Sequence, residues 1–163
     1  MGPIRLMVRP SRSGHGAVIA LDTNILVYAH RRDLPEHARA FDAVSEALSG
    51  PAPVGLCWPV VQEFLAVVTN PRIFTQPTPA GEAFDQVDHW CASPRAITLH
   101  ESPSHLTTLR DLVIDGRVSG GGMHDARIAA ICIDHGVDTL LTADRDFSRF
   151  PQLRVRNPLV APR

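Results

Sequence analysis

The chain has 163 residues, 44% of them hydrophobic and 20% charged, enough to bury one core without disulfides or a structural metal. A net charge of −1 excludes the uniformly basic coat that drives non-specific nucleic-acid binding, so any such contact has to come from local patches. No run approaches the roughly 20 apolar residues that span a bilayer, and Cys57, Cys91 and Cys132, set in apolar surroundings without a CxxC pair, read as buried thiols of a reducing cytoplasm.

Residues Met1 to Gly16 mix Pro, Arg, Ser and Gly without periodicity and read as a flexible N-terminal arm ahead of a single domain, residues 17–163. From Ala17 onward, short apolar runs rich in branched residues alternate with helical patterns, which predicts an α/β fold with a central parallel sheet of four to five strands and helices on both faces. The first strand is Val18–Leu21, followed by a short apolar helix. Phe41, Val44 and Leu48 then repeat at helical spacing, and Val54–Leu56 is the second strand. Val61, Phe64, Leu65 and Val68 form a helix after Pro59, a residue suited to a first helical turn. A further helix starts at Thr78-Pro79 and carries Phe84, Val87 and Cys91; Ala96–Leu99 is the third strand. Leu106, Leu109, Leu112 and Val113 mark a helix that stops at Gly116, and Ala126 to Ile133, apolar almost all round, is a buried helix with a glycine C-cap at Gly136. Thr139–Leu141 and Leu153–Arg156 complete the strands.

Ligands of an open parallel sheet sit beyond the carboxyl ends of its strands, and acidic residues fall there. Asp22 directly follows the first strand, and Asp144 follows Leu140-Leu141-Thr142, with Asp146 two residues on. Asp125 precedes the buried helix, after Gly120-Gly121-Gly122 and His124, and Glu63 is a single carboxylate inside an apolar helix. Each has an ordinary explanation: an aspartate at a helix start caps a backbone N–H for about 1 kcal/mol, and Glu63 can occupy a solvent stripe. Jointly, at one edge of one sheet, they point to a cluster. Two carboxylates about 4 Å apart repel by about 4 kcal/mol at an effective dielectric near 20, so several can share a pocket only around a cation. Oxygen-only ligation favours Mg²⁺, with Mn²⁺ as a substitute, over zinc, and phosphodiester hydrolysis is the chemistry such an ion serves.

Four stretches carry a resemblance to a known family: Leu21-Asp22-Thr23-Asn24-Ile25-Leu26-Val27-Tyr28; Gln62-Glu63-Phe64 running on to Thr69-Asn70-Pro71-Arg72-Ile73-Phe74; His124-Asp125-Ala126-Arg127-Ile128-Ala129-Ala130; and Leu141-Thr142-Ala143-Asp144-Arg145-Asp146-Phe147. In this order and at these separations the chain from Ala17 onward resembles the PIN-domain ribonucleases, specifically the VapC-type toxins of bacterial toxin–antitoxin pairs. The resemblance implies a PIN-like three-layer sandwich and a metal-dependent endoribonuclease whose acidic quartet is Asp22, Glu63, Asp125 and Asp144. Asp22 and Asp125 would be the foremost ligands and Asp146 an auxiliary carboxylate, while Thr23, Asn24 and Thr142 orient the acids. It further implies a cytoplasmic homodimer that acts on RNA and is inhibited by a VapB-like antitoxin, a protein that wraps the toxin and presents a basic side chain to the acidic pocket.

Two other readings keep the same architecture. A metal-dependent phosphatase or phosphoacceptor domain also places aspartates at strand ends, but it normally relies on a lysine, and this chain has none. A non-catalytic RNA- or antitoxin-binding module would retain the fold without turnover. Among the remaining residues, His124 beside Asp125 reads as incidental. The apolar settings of Trp58, Trp90 and Phe147 favour core packing over base stacking. Arg127 and Arg145 each flank an acid and either grip phosphate or balance charge, and the arginines near the two ends (Arg5, Arg9, Arg12, Arg154, Arg156 and Arg163) offer planar forks for phosphate.

Overall fold

The computed structural model describes residues 17–160, so the expected arm and the arginines within it, like Arg163, lie outside the described residues. Five strands form one parallel sheet in the order β3-β2-β1-β4-β5: β1 (Val18–Leu21), β2 (Val54–Cys57), β3 (Ala96–Leu99), β4 (Val137–Leu141) and β5 (Arg154–Arg156). The helices are α1 (Thr23–His30), α2 (His37–Ser49), α3 (Trp58–Val68), α4 (Ala80–Cys91), α5 (His105–Asp115) and α6 (Gly122–Asp134), with a 3-10 turn at Arg145–Arg149. Helix α1 packs against α2 and α3, and α3 against α4, while α5 and α6 pair separately and α6 lies on β2 and β4. The sheet is the middle layer of three. Among the described residues no helix is long and apolar enough to cross a membrane.

The central strands are apolar on both faces because helices cover both. All of β2 is buried, as are Ala20 and Leu21 of β1 and Leu140 and Leu141 of β4. The edge strand β5 is exposed throughout, and the strand begins one residue later than the sequence reading had it, because Leu153 turns into the core ahead of it. At Gly55 the strands β2 and β3 approach so closely that a Cβ would stand 2.6 Å from Leu99 Cδ1.

Several expected core positions face outward. In α2 the buried stripe is Ala40, Val44 and Ala47, and Phe41 is exposed beside the His37 ring. In α4 it is Ala83, Val87 and Trp90, leaving Phe84 outside; in α5 Leu106 is exposed and only Leu112 is fully buried. Helices that pack closely need small residues at the contact, so the alanines took the inner positions and the large apolar residues one place along the helix were displaced. Phe147 and Trp90 are buried as expected, but Trp58 is 46% exposed, because it is the first residue of α3 at the open end of the sheet, where no element covers it. Of the cysteines, Cys57 and Cys132 are buried, with their sulfurs 3.8 Å apart, and Cys91 is only partly buried.

The chain order sets where a site can form. From β1 the sheet grows outward through β2 to β3, and then restarts on the other side of β1 with β4 and β5. The strand order therefore reverses between β1 and β4, and the crevice beyond their carboxyl ends is the place such a fold offers to a ligand. Leu21 and Leu141 are paired across that seam, so the residues that follow them leave the sheet side by side.

Candidate functional site

Asp22 and Thr142 leave the paired ends of β1 and β4, and the Asp22 N–H donates to Leu141 O at 3.0 Å. Both side chains are buried. The Asp22 carboxylate is fully engaged: Oδ1 accepts from the Thr23 backbone N–H at 2.8 Å, and Oδ2 accepts from Asn24 Nδ2 at 2.7 Å and from the Thr142 hydroxyl at 2.6 Å. Asp22 thus caps α1 and sits at the heart of a polar network. Thr142 Oγ1 in turn accepts from the Asp144 N–H at 2.9 Å, and Asn24 Oδ1 accepts from the Ala143 N–H at 3.0 Å. Those bonds hold the loop after β4 against the start of α1, 118 to 120 residues away in the chain.

Asp144 is exposed and caps the 3-10 turn, its Oδ1 accepting from the Asp146 N–H at 2.8 Å. Glu63 lies on the outer face of α3, but its Oε2 accepts the Thr23 hydroxyl at 2.6 Å, which ties α3 to the first residue of α1. The capping and solvent-stripe explanations therefore hold for Asp22, Asp144 and Glu63 as local descriptions, and the three still lie around one crevice.

The expectation for Asp125 needs correction. It does not precede its helix: α6 begins at Gly122, and Asp125 lies within its first turn. Gly120, at φ +57, supplies the left-handed turn after which Gly121 caps the helix and Gly122 begins it. Asp125 comes thereby to a partly buried position, where one oxygen each of Asp125, Asp144 and Asp146 lies within 4.8 Å of the others. This is the tightest acidic group among the described residues, and it contains Asp146. Burial, followed by the charges of Asp144, Asp22, Asp146 and Glu63, pushes the Asp125 carboxyl up to about 6. Burial also raises Asp22, against the hydrogen bonds from Thr142 and Thr23, with Glu63 and Asp144 adding to the rise. The other four acids of the sequence reading therefore all act on Asp125.

Other flanking residues behave differently. Arg127 is spent on Glu101, to which its Nε donates at 2.7 Å, with Nη2 on the same oxygen, so it neither neutralises the acids nor stands free. The sequence singled out no partner for it, since the two residues are 26 apart and share no motif. His124 is exposed and makes no side-chain hydrogen bond among the described residues. Arg145 and Arg156 are exposed beside the site.

A strand-end aspartate pair across a parallel seam, a third aspartate on a helix crossing that seam, and a glutamate on the helix after β2 together define a class of proteins. Residues 19–153 match the PIN domain family, to which the chain belongs. Ribonuclease VapC43 of Mycobacterium tuberculosis is 39% identical over 142 residues, covering 87% of this chain and 96% of that protein. Within the PIN-domain family the chain is thus one of the VapC ribonucleases. Among solved structures it is similar to the VapBC2 complex of Rickettsia felis bound to a promoter DNA fragment (TM-score 0.64, 19% identity, 86% of this chain and 98% of that one). It is also similar to Mycobacterium tuberculosis VapC20, a sarcin-ricin loop cleaving toxin (TM-score 0.61, 18% identity, 80% and 92%). At these identities the structural likeness speaks for the fold.

Proposed function

We propose that this chain is a Mg²⁺-dependent endoribonuclease, the toxin of a VapBC-type pair, cleaving RNA phosphodiester bonds at Asp22, Glu63, Asp125 and Asp144 with Asp146 at their side. The observation that carries the reading is the convergence of Asp125, Asp144 and Asp146, one oxygen of each within 4.8 Å of the others, with Asp22 and Glu63 adding to the negative charge that raises Asp125. Such an arrangement is unfavourable for a protein alone and becomes favourable around a cation.

The residues present fit a hard divalent ion. Asp125, Asp144 and Asp146 offer three converging carboxylate oxygens, and the cluster contains no thiolate or imidazole, a donor set that suits Mg²⁺ or Mn²⁺. When bound, the ion supplies positive charge between the carboxylates and the phosphate and acidifies water for attack on phosphorus. The protein's own work is positioning. Thr142 and Asn24 fix one oxygen of Asp22, Thr23 fixes Glu63, and the Asp144 cap aims its carboxylate over the 3-10 turn. Groups locked by hydrogen bonds lose little freedom when substrate arrives.

The partners follow from the relatives. A VapB-like antitoxin that covers the acidic crevice would keep the nuclease inactive, and a homodimer would bring two crevices onto one face. VapC20 is described as cleaving the sarcin-ricin loop, which supports RNA as the substrate class.

The test is cleavage of labelled RNA by the purified chain with Mg²⁺ or with chelator. Cleavage should require the ion, and Asp125→Asn should lower the rate by at least about two orders of magnitude while the protein stays folded. Cleavage that persists in chelator, or a folded variant as fast as the parent, would overturn the reading.

A further inference from the structure

We propose that the groove between α2 and β5 is the path by which single-stranded RNA reaches the acidic crevice, with Arg145 and Arg156 gripping its phosphates. The inference rests on the ribonuclease reading and names where that substrate lies.

The groove encloses about 1310 Å³ and ends on Thr142, Ala143 and Asp144, the same loop that places Asp144 in the acidic group. A chain lying in the groove therefore runs into the crevice without leaving the surface. Its apolar floor includes Ala43 and Ala47 of α2 and Val155 of β5. One wall carries Arg145 and Arg156; the opposite wall carries Asp42 and Glu46.

The two arginines are placed by the sheet. Arg156 is paired with Leu141 in the parallel ladder, and its carbonyl accepts the Thr142 N–H at 3.0 Å. Its backbone is thus one strand spacing, about 4.8 Å, from the residue whose hydroxyl holds Asp22. Arg145 begins the 3-10 turn directly after Asp144. Among the described residues neither side chain has an ion pair or a hydrogen bond, although both are exposed. The third arginine of the groove, Arg39 on α2, donates one N–H to Leu159 O at 2.6 Å and keeps its charge beside Asp42 and Glu46. Two unspent planar cations beside a carboxylate cluster match a phosphate backbone, which supplies bidentate acceptors at intervals. The α2 wall, with Asp42 and Glu46 against the single Arg39, is net negative while the β5 wall is positive, so the backbone runs against β5 and the bases face α2.

The experiment measures two quantities on a labelled single-stranded RNA: kcat and KM of the Mg²⁺-loaded protein, and Kd against salt in an Asp125→Asn background where turnover is slowed. Arg145→Gln and Arg156→Gln should each raise KM and Kd about 5- to 10-fold with kcat within about 2-fold. Each should also flatten the slope of log Kd against log salt by about 0.7. Lysine at either position keeps the charge but not the planar fork, so it should restore the salt slope while recovering the affinity only in part, and Arg110→Gln on the exposed face of α5 should match the parent. A folded Arg145→Gln/Arg156→Gln double variant with parental Kd and salt slope overturns the groove. A parent that binds RNA through these arginines but never cleaves it overturns the ribonuclease reading and leaves the groove standing.

Discussion

Asp125 is where the charge balance of the site is decided. Its carboxyl is raised from 3.8 to about 6 in the folded protein, so the sign of its effect on stability can be worked out. Below about pH 4 the group is protonated in both the folded and the unfolded chain, and the folded state suffers nothing. Between pH 4 and 6 the unfolded chain releases the proton that the folded one retains, so stability falls as pH rises; above 6 the loss is complete. In chelator, Asp125→Asn should therefore melt about 2–4 °C above the parent at pH 7.5, an effect moderated by the partial exposure of the carboxyl. The difference should close by pH 4, and scanning calorimetry at both pH values checks it: parallel curves would show that neither burial nor the neighbouring acids raise Asp125. Asp22 was legible in the sequence because it directly follows the branched apolar run of β1, Asp144 because it comes three residues after the end of the run Thr139–Leu141, and Glu63 because it interrupts an apolar helix. The tight placement of Asp146 was not, since it depends on a 3-10 turn that no spacing announces. Nor was the loss of Arg127 to Glu101, a contact between α6 and the segment after β3 that only the fold brings together.

At the level of elements, periodicity located every helix and strand, but it misjudged which face was inner. Phe41, Phe84 and Leu106 mark the helical spacing, but the structure leaves them exposed and buries alanines and a few branched or larger residues where helices meet. Hydrophobicity alone cannot distinguish the two, because the choice depends on how near the neighbouring element comes. The helix read from Ala126 to Ile133 extends in the structure from Gly122 to Asp134, since three consecutive glycines signal a loop unless the first of them, Gly120, turns the chain in a left-handed conformation and leaves the last to begin the helix. Gly55 shows the same dependence on distance in the sheet. Its missing side chain is what allows β2 and β3 to close over Leu99, so Gly55→Ala should destabilise the protein by about 1–3 kcal/mol through overpacking. Chemical denaturation reads this directly; an unchanged midpoint would mean that β3 yields freely.

For the molecule as a whole, the crevice is a place where folding has concentrated negative charge that a bound cation must offset. Mg²⁺ should raise the melting temperature of the parent, by an amount equivalent to about 2.7 kcal/mol at a concentration of 100 Kd. Asp125→Asn/Asp144→Asn should lose most of that rise. A parent whose melting point ignores Mg²⁺ would remove the ion from the cluster.

The strand order carries a temporal meaning. The middle strand β1 is made early in synthesis, whereas its neighbour β4, with Thr142 and Asp144 beyond it, comes more than a hundred residues later. A nascent polypeptide still attached to the ribosome lacks the second half of its cutting edge until nearly all of it has emerged. A chain interrupted before β4 therefore lacks Thr142, Asp144 and Asp146, and with them the acidic group that the last two form with Asp125.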